Sequence, residues 1–330
     1  MSNQDYIDEI ARIKEKCSVT IVAHFYQKDE VFALADLSGD SLQLARMATE
    51  DKNKNLVFCG VGFMGESVKV LSPQKRVVMP KLACCAMARM IDGEHFDISV
   101  ALLEKQGIKK EDILPITYIN SSADVKARVG MMGGMVCTSS NAKKIIDKGL
   151  ESGKKILFVP DKCLGENIAR INNLKSCVIG DGTDPKNAEI ICYNGFCSVH
   201  QLFSVEDIEF YRAKYPGIKI VTHPECPPDV CIASDFMGST SQIINYIKEL
   251  PADQKVAVGT EFNLVNRLRE KNTYILSSTK PECPTMNETT VEDLYHVIKS
   301  IEDGSYKNEV FLKDETAKWA KIALERMFEV

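Results

Sequence analysis

The strongest constraint on what this chain can fold into is a threefold internal repeat. The stretches TIVAHFYQKDEV, PITYINSSADV and KIVTHPECPPDV align without a gap, so His24, Tyr118 and His223 each stand seven residues before Val31, Val125 and Val230. Each valine follows an acid: Glu30, Asp124 or Asp229. Next in each copy comes a small hydroxyl residue opening a run with hydrophobics at helical spacing, GDSLQLARMA, TSSNAKKIID and GSTSQIINYIK, which places Ser41, Ser139 and Thr240 near helix starts. A further apolar run follows: NLVFCGVGFMGES matches KILFVPDKCLGEN at an offset of one hundred residues, with Glu66 and Glu166 in register, and KVAVGTEFNLVNR is a looser third version. Each copy closes on a β-rich run ending in cysteine: KRVVMPKLACC, AEIICYNGFC and TYILSSTKPEC.

Short apolar runs alternating with helices of about a dozen residues argue βαβ units with parallel sheets covered on both faces. The expected fold class is therefore α/β: three similar small three-layer αβα domains with parallel sheets, related by pseudo-threefold symmetry. Their expected bounds are residues 1–88, 89–200 and 201–290. The tails, 1–18 and 291–330, read as amphipathic helices packing on the first domain. Ligands in such sheets gather at the carboxyl ends of strands, where His24, Tyr118 and His223 fall.

At 330 residues the chain is long enough for two or three cores. Its first residues, MSNQDYIDEIARIKEKCSV, lack the cationic end and apolar centre of a signal peptide, and no apolar stretch approaches membrane-spanning length, so a cytoplasmic protein is expected. A net charge of −5 without a basic run argues against nucleic-acid binding.

Twelve cysteines without an export signal point to thiols for packing, metal or catalysis rather than disulfides. Cys59, Cys137, Cys177 and Cys192 sit in or beside apolar runs and read as packing; Cys17, Cys84, Cys163, Cys226 and Cys231 are ambiguous. Cys85, Cys197 and Cys283 close one repeat each, so copies arranged about an axis would bring three thiolates together. Three cysteines suit a [4Fe–4S] cluster with one iron left open; zinc completed by water, and plain packing without metal, are the alternatives.

The motifs AHFYQ, GDSLQLA, YINSSADVKA, CTSSNA, PDKCLG, NGFCSVH, HPECPPDV, DFMGSTS, VGTE and CPTM together resemble the quinolinate synthase family, in order, from about residue 20 to residue 290. The resemblance implies three α/β domains around a central [4Fe–4S] cluster held by Cys85, Cys197 and Cys283, with the fourth iron open to substrate. It also implies condensation of iminoaspartate with dihydroxyacetone phosphate to quinolinate, phosphate and water in NAD biosynthesis, and functional coupling to L-aspartate oxidase. Three departures stand out. Cys84 replaces a glycine before the first ligand, Arg89 replaces an aspartate after it, and Cys163 occupies a position where histidine or asparagine is common. CPTM also lacks the second cysteine of a CxxC found near the third ligand in some members.

Such a reaction needs anion-binding donors and paired acids and bases. Ser41, Ser139 and Thr240 at helix starts would bind anionic oxygens, although capping alone also explains a hydroxyl there. Glu225 is expected as general base, its pKa raised by burial; Tyr26 and Tyr118 would deliver protons, and Asn120 would donate to a carboxylate or carbonyl. His24, His200 and His223 would bind carboxylate or phosphate or shuttle a proton, whereas His95 and His296 read as surface residues. Two other function classes remain: a zinc-dependent hydrolase or aldolase on a phosphorylated small molecule, and a noncatalytic cluster carrier or iron sensor.

Overall fold

The computed structural model describes residues 1–268 and 272–330. Three parallel sheets are wound alike. The first holds β1 (Val19–His24), β2 (Leu37–Gly39), β3 (Asn55–Cys59) and β4 (Arg76–Val78) in the order β2-β1-β3-β4. The second holds β5 (Ile113–Tyr118), β6 (Met135–Cys137), β7 (Lys155–Val159), β8 (Ser176–Val178) and β9 (Ile190–Cys192) in the order β6-β5-β7-β9-β8. The third holds β10 (Lys219–Thr222), β11 (Phe236–Met237), β12 (Val256–Gly259) and β13 (Thr273–Ile275) in the order β11-β10-β12-β13. Apart from the edge strand β8, the repeat maps strand for strand. Every residue of β1 and β5 is buried, which is why apolar side chains occupy both faces of these runs instead of alternating with exposed polar ones.

The helices repeat too. The first unit carries α1 (Asn3–Lys16), α2 (Asp29–Phe32), α3 (Ser41–Glu50) and α4 (Gly62–Leu71). In the second the counterparts are α5 (Gly93–Lys105), α6 (Ala123–Met131), α7 (Ala142–Leu150) and α8 (Lys162–Ile171). In the third they are α9 (Val205–Lys214), α10 (Pro228–Ala233), α11 (Thr240–Glu249) and α12 (Phe262–Arg267). The repeat valines Val31, Val125 and Val230 anchor α2, α6 and α10 in the cores. In each sheet the first strand lies between the second and third, so successive connections leave it in opposite directions. That reversal opens a crevice at the strand's carboxyl end. His24 and Tyr118 end their strands, and His223 directly follows its own.

Of the two closing helices, α13 (Val291–Glu302) packs with α1 over the first sheet as the amphipathic pattern implies. The other, α14 (Asp314–Phe328), departs from that expectation: it lies on α6 and β6 of the second unit and also touches α4. Gly130 in α6 permits the seating, because a Cβ there would stand 2.1 Å from the Trp319 carbonyl oxygen. Gly130→Ala is therefore expected to destabilise the protein by about 1–3 kcal/mol through overpacking. A melting temperature unchanged from wild type would contradict this seating of α14.

Candidate active site

The carboxyl ends of the three sheets face one cavity of about 670 Å³, its opening included. Every candidate lies on its wall: His24, Tyr26, Ser41 and Cys85 from the first unit, Tyr118, Asn120, Ser139, Cys197 and His200 from the second, and His223, Glu225, Thr240 and Cys283 from the third and its closing loop. His95 and His296 lie on exposed helix faces.

The three thiols are free and half-buried. Burial pushes the Cys85 thiol up to about 12, and Cys197 and Cys283 are raised for the same reason, with neighbouring thiolates and Glu225 adding to the effect at Cys197. Thiolates gathered here require a cation to offset them, and three soft donors from three separate loops suit an iron–sulfur cluster. The adjacent cysteines separate cleanly: Cys85 faces the cavity, whereas Cys84 is exposed. Cys163 is buried off the cavity wall, where its sulfur accepts from the Gln201 amide at 3.4 Å. Cys59, Cys137, Cys177 and Cys192 are buried among apolar neighbours.

Polar groups from all three units form one chain. The Tyr118 hydroxyl donates to Glu225 Oε1 at 2.5 Å, and Glu225 Oε2 lies 3.1 Å from His200 Nδ1. His200 Nδ1 is also 3.2 Å from Cys197 Sγ, while its Nε2 meets the Thr260 hydroxyl at 3.1 Å. Thr260 continues to the Tyr26 hydroxyl at 3.0 Å, which reaches Thr240 at 3.2 Å. Burial keeps both phenols protonated. Glu225 behaves differently from the sequence expectation. Burial does push it up, but His200, His223 and the Tyr118 hydroxyl outweigh this and bring it down to about 2, so it is a carboxylate at neutral pH.

His24 and His223 are held alike. Nδ1 of His24 accepts from the Tyr26 backbone N–H at 3.1 Å, and Nδ1 of His223 accepts from the Glu225 backbone N–H at 3.3 Å. Each ring thus has Nε2–H as its donor. Burial lowers His24 to about 4 and His223 to about 3, so both are neutral near pH 7. Unfolded, both titrate near 6.5. Above that value they leave stability independent of pH; as pH falls through 6.5 toward 4 and 3, the unfolded chain takes up protons that the folded chain refuses, and stability is lost. His24→Gln is expected to make the urea midpoint less dependent on pH between about 6.5 and 4.5. An equal slope in wild type and variant would contradict a buried, neutral His24.

Capping falls to neighbours of the candidate hydroxyls. Asp40 caps α3 and Ser239 caps α11, leaving the Ser41 and Thr240 side chains free of that task. Ser139 lies in the turn before Asn141, the residue preceding α7, and not on the helix itself. Asn120 Oδ1 is buried without a hydrogen-bond partner among the described residues, an acceptor that a ligand could satisfy. Residues missed from sequence include Thr260, which joins Tyr26 to His200, and Asp40, whose Oδ2 accepts from Ser241 at 2.5 Å and Ser140 at 3.4 Å across all three units. Thr260 lies within the VGTE motif at the end of β12, so position alone could have flagged it.

Three parallel sheets that present donors, a carboxylate and thiols to one shared cavity define an α/β enzyme. A family model described as "Quinolinate synthetase A protein" matches residues 8–329, and the chain belongs to that family. It is 55% identical to a "Quinolinate synthase" of Helicobacter pylori, with 100% of this chain and 99% of that protein aligned. Identity to the Streptomyces coelicolor "Quinolinate synthase" is 39%, over 99% of this chain and 88% of that protein. The Bacillus cytotoxicus protein of the same name is also 39% identical, over 100% and 94%. No helix among the described residues is long and apolar enough to cross a membrane.

Proposed function

We propose that this enzyme condenses iminoaspartate with dihydroxyacetone phosphate to give quinolinate, phosphate and water, as a cytoplasmic step of NAD biosynthesis. The observation that carries this reading is the hydrogen-bonded chain from Tyr118 through Glu225, His200 and Thr260 to Tyr26, lying beside three convergent thiols. Cys85, Cys197 and Cys283 would hold a [4Fe–4S] cluster, which when bound supplies a Lewis acid toward a substrate hydroxyl or carboxylate. Ser41, Ser139 and Thr240 bind the anionic ends of the substrates from the cavity wall, and Asn120 meets a carboxyl or amino group. The neutral imidazoles of His24 and His223 donate from Nε2. Tyr118 and Tyr26, kept protonated, hand protons to departing oxygens. Glu225 stays ionised as the acceptor that receives a substrate proton through Tyr118 or His200. The division at residues 88, 200 and 290 into three domains goes with this reading, and iminoaspartate, being labile, calls for functional coupling to the L-aspartate oxidase that forms it.

A second reading has one observation in its favour: donor atoms of Cys197, His200 and Glu225 lie within 4.8 Å of one another, a mixed set that a zinc ion accepts. It leads to a hydrolase or aldolase. Incubating the anaerobically isolated protein with both substrates decides between them. Quinolinate and phosphate formed in equal amounts support the condensation. Absence of quinolinate from a preparation with full iron and sulfide contradicts it.

A further inference from the structure

The residues that follow His24, Tyr118 and His223 form equivalent turns, and the second residue of each turn faces the cavity: Tyr26, Asn120 and Glu225. In all three turns the carbonyls on either side of that residue are held by nitrogen donors of one buried or half-buried side chain. In the first unit, Arg267 donates through Nη2 to the Phe25 carbonyl and through Nη1 to the Gln27 carbonyl at 3.0 Å. In the second, Lys126 Nζ donates to the Ile119 carbonyl at 2.8 Å and to the Ser121 carbonyl. In the third, Asn167 Nδ2 donates to the Pro224 and Cys226 carbonyls, both at 3.0 Å.

Two of these donors reach across a unit boundary from equivalent places. Asn167 and Arg267 stand one hundred residues apart at the same position of α8 and α12, each gripping the turn of the following unit. The equivalent residue of α4 is Ser67, which donates to the Phe63 carbonyl of its own helix. The second turn is held instead by Lys126 from within its own unit, while Glu66 of α4 crosses over to accept from the Ala123 backbone N–H at 2.8 Å. Lys126 and Asn167 are fully buried, and burial lowers Lys126 to about 7. Keeping a lysine there costs free energy that a plain apolar core would not require. Arg267 adds an ion pair with Asp29 at 2.7 Å, and Asn263, also on α12, donates to the Tyr26 carbonyl at 3.1 Å.

We propose that Arg267, Lys126 and Asn167 are positioning residues, one per repeat, that fix the turns presenting Tyr26, Asn120 and Glu225 to the substrates. This rests on the reading of those three as site residues. None of the three donors lines the cavity itself; they act by holding two backbone carbonyls so that the side chain between them has a single aim. A displacement of about 1 Å in such a group can cost about 10²-fold in rate.

Arg267→Ala tests the proposal, since its side chain is partly exposed and a small cation can enter the gap. The expected result is full iron and sulfide content, a loss of about 10²-fold in kcat with a much smaller change in KM, and partial recovery of kcat on adding guanidinium. Amide exchange at Phe25, Tyr26 and Gln27 should also quicken, whatever the enzyme's substrate. Asn167→Ala should lose rate comparably but show no response to guanidinium. Wild-type kcat in both variants, or an Arg267→Ala deficit that guanidinium leaves untouched, overturns the proposal. If Arg267→Ala does not fold, Asn167→Ala and Lys126→Met decide: loss of kcat with iron and melting temperature retained supports positioning, and unfolding of all three variants assigns them a purely structural role. A wild-type protein that makes no quinolinate sinks the functional reading instead. Amide exchange at the turn then decides for Arg267 by itself: faster exchange in Arg267→Ala supports its hold on the turn, and equal rates in wild type and variant overturn it.

Discussion

Cys197→Ser is expected to abolish both the iron–sulfur absorbance and turnover, while Cys192→Ser leaves both near wild type. The two cysteines lie close in sequence, yet their surroundings differ. Cys197 faces the cavity with Cys85 and Cys283 and has His200 Nδ1 at 3.2 Å. Cys192 is fully buried in β9, and burial holds its thiol protonated. A serine hydroxyl is a poor ligand for iron in place of a thiolate, and two remaining thiolates would hold the centre weakly. At position 192 the same change loses a packing sulfur and buries a hydroxyl, which costs some stability but removes no group facing the cavity. Iron, sulfide and quinolinate formation measured on both variants check this; equal loss in the two would contradict the assignment of Cys197.

Glu225→Gln is expected to keep the metal centre and lose about 10²–10⁴-fold in kcat, the usual range for a displaced acid–base group. The carboxylate is the node between Tyr118 and His200, accepting at both oxygens. A carboxamide accepts at one position only and presents N–H groups at the other, so either the Tyr118 proton or the His200 ring loses its partner. Because these residues act as a unit, Tyr118→Phe combined with Glu225→Gln should cost little more than the more damaging single change. Additive losses would mean that the two work independently, and an active Glu225→Gln would remove Glu225 from the proton path.

The architecture was legible because the repeat is written in both spacing and residue type. The seven-residue interval from strand end to helix valine places His24, Tyr118 and His223 on one edge of each sheet, and the terminal cysteines mark where each unit closes. The seating of α14 was not legible. An amphipathic stripe says that one face is buried but not against what, and the informative residue, Gly130, lies in the partner helix α6. The sign of the Glu225 shift was hidden for a similar reason. Burial could be guessed from a strand-end position, but the opposing contributions come through space from His200 and Tyr118. Asn167 and Arg267 occupy equivalent positions in the aligned repeats, yet their chemical difference from each other and from Ser67 disguised a shared task that only the paired carbonyls reveal.

The central claim is that three thiols from three similar units close on one iron–sulfur centre inside the cavity. Iron, acid-labile sulfide and zinc measured on protein isolated without oxygen test it most directly. About four irons and four sulfides per chain, with a broad brown absorbance that fades in air, is the predicted result. One zinc per chain with no sulfide would contradict it and would turn attention to the Cys197, His200 and Glu225 group as the metal site.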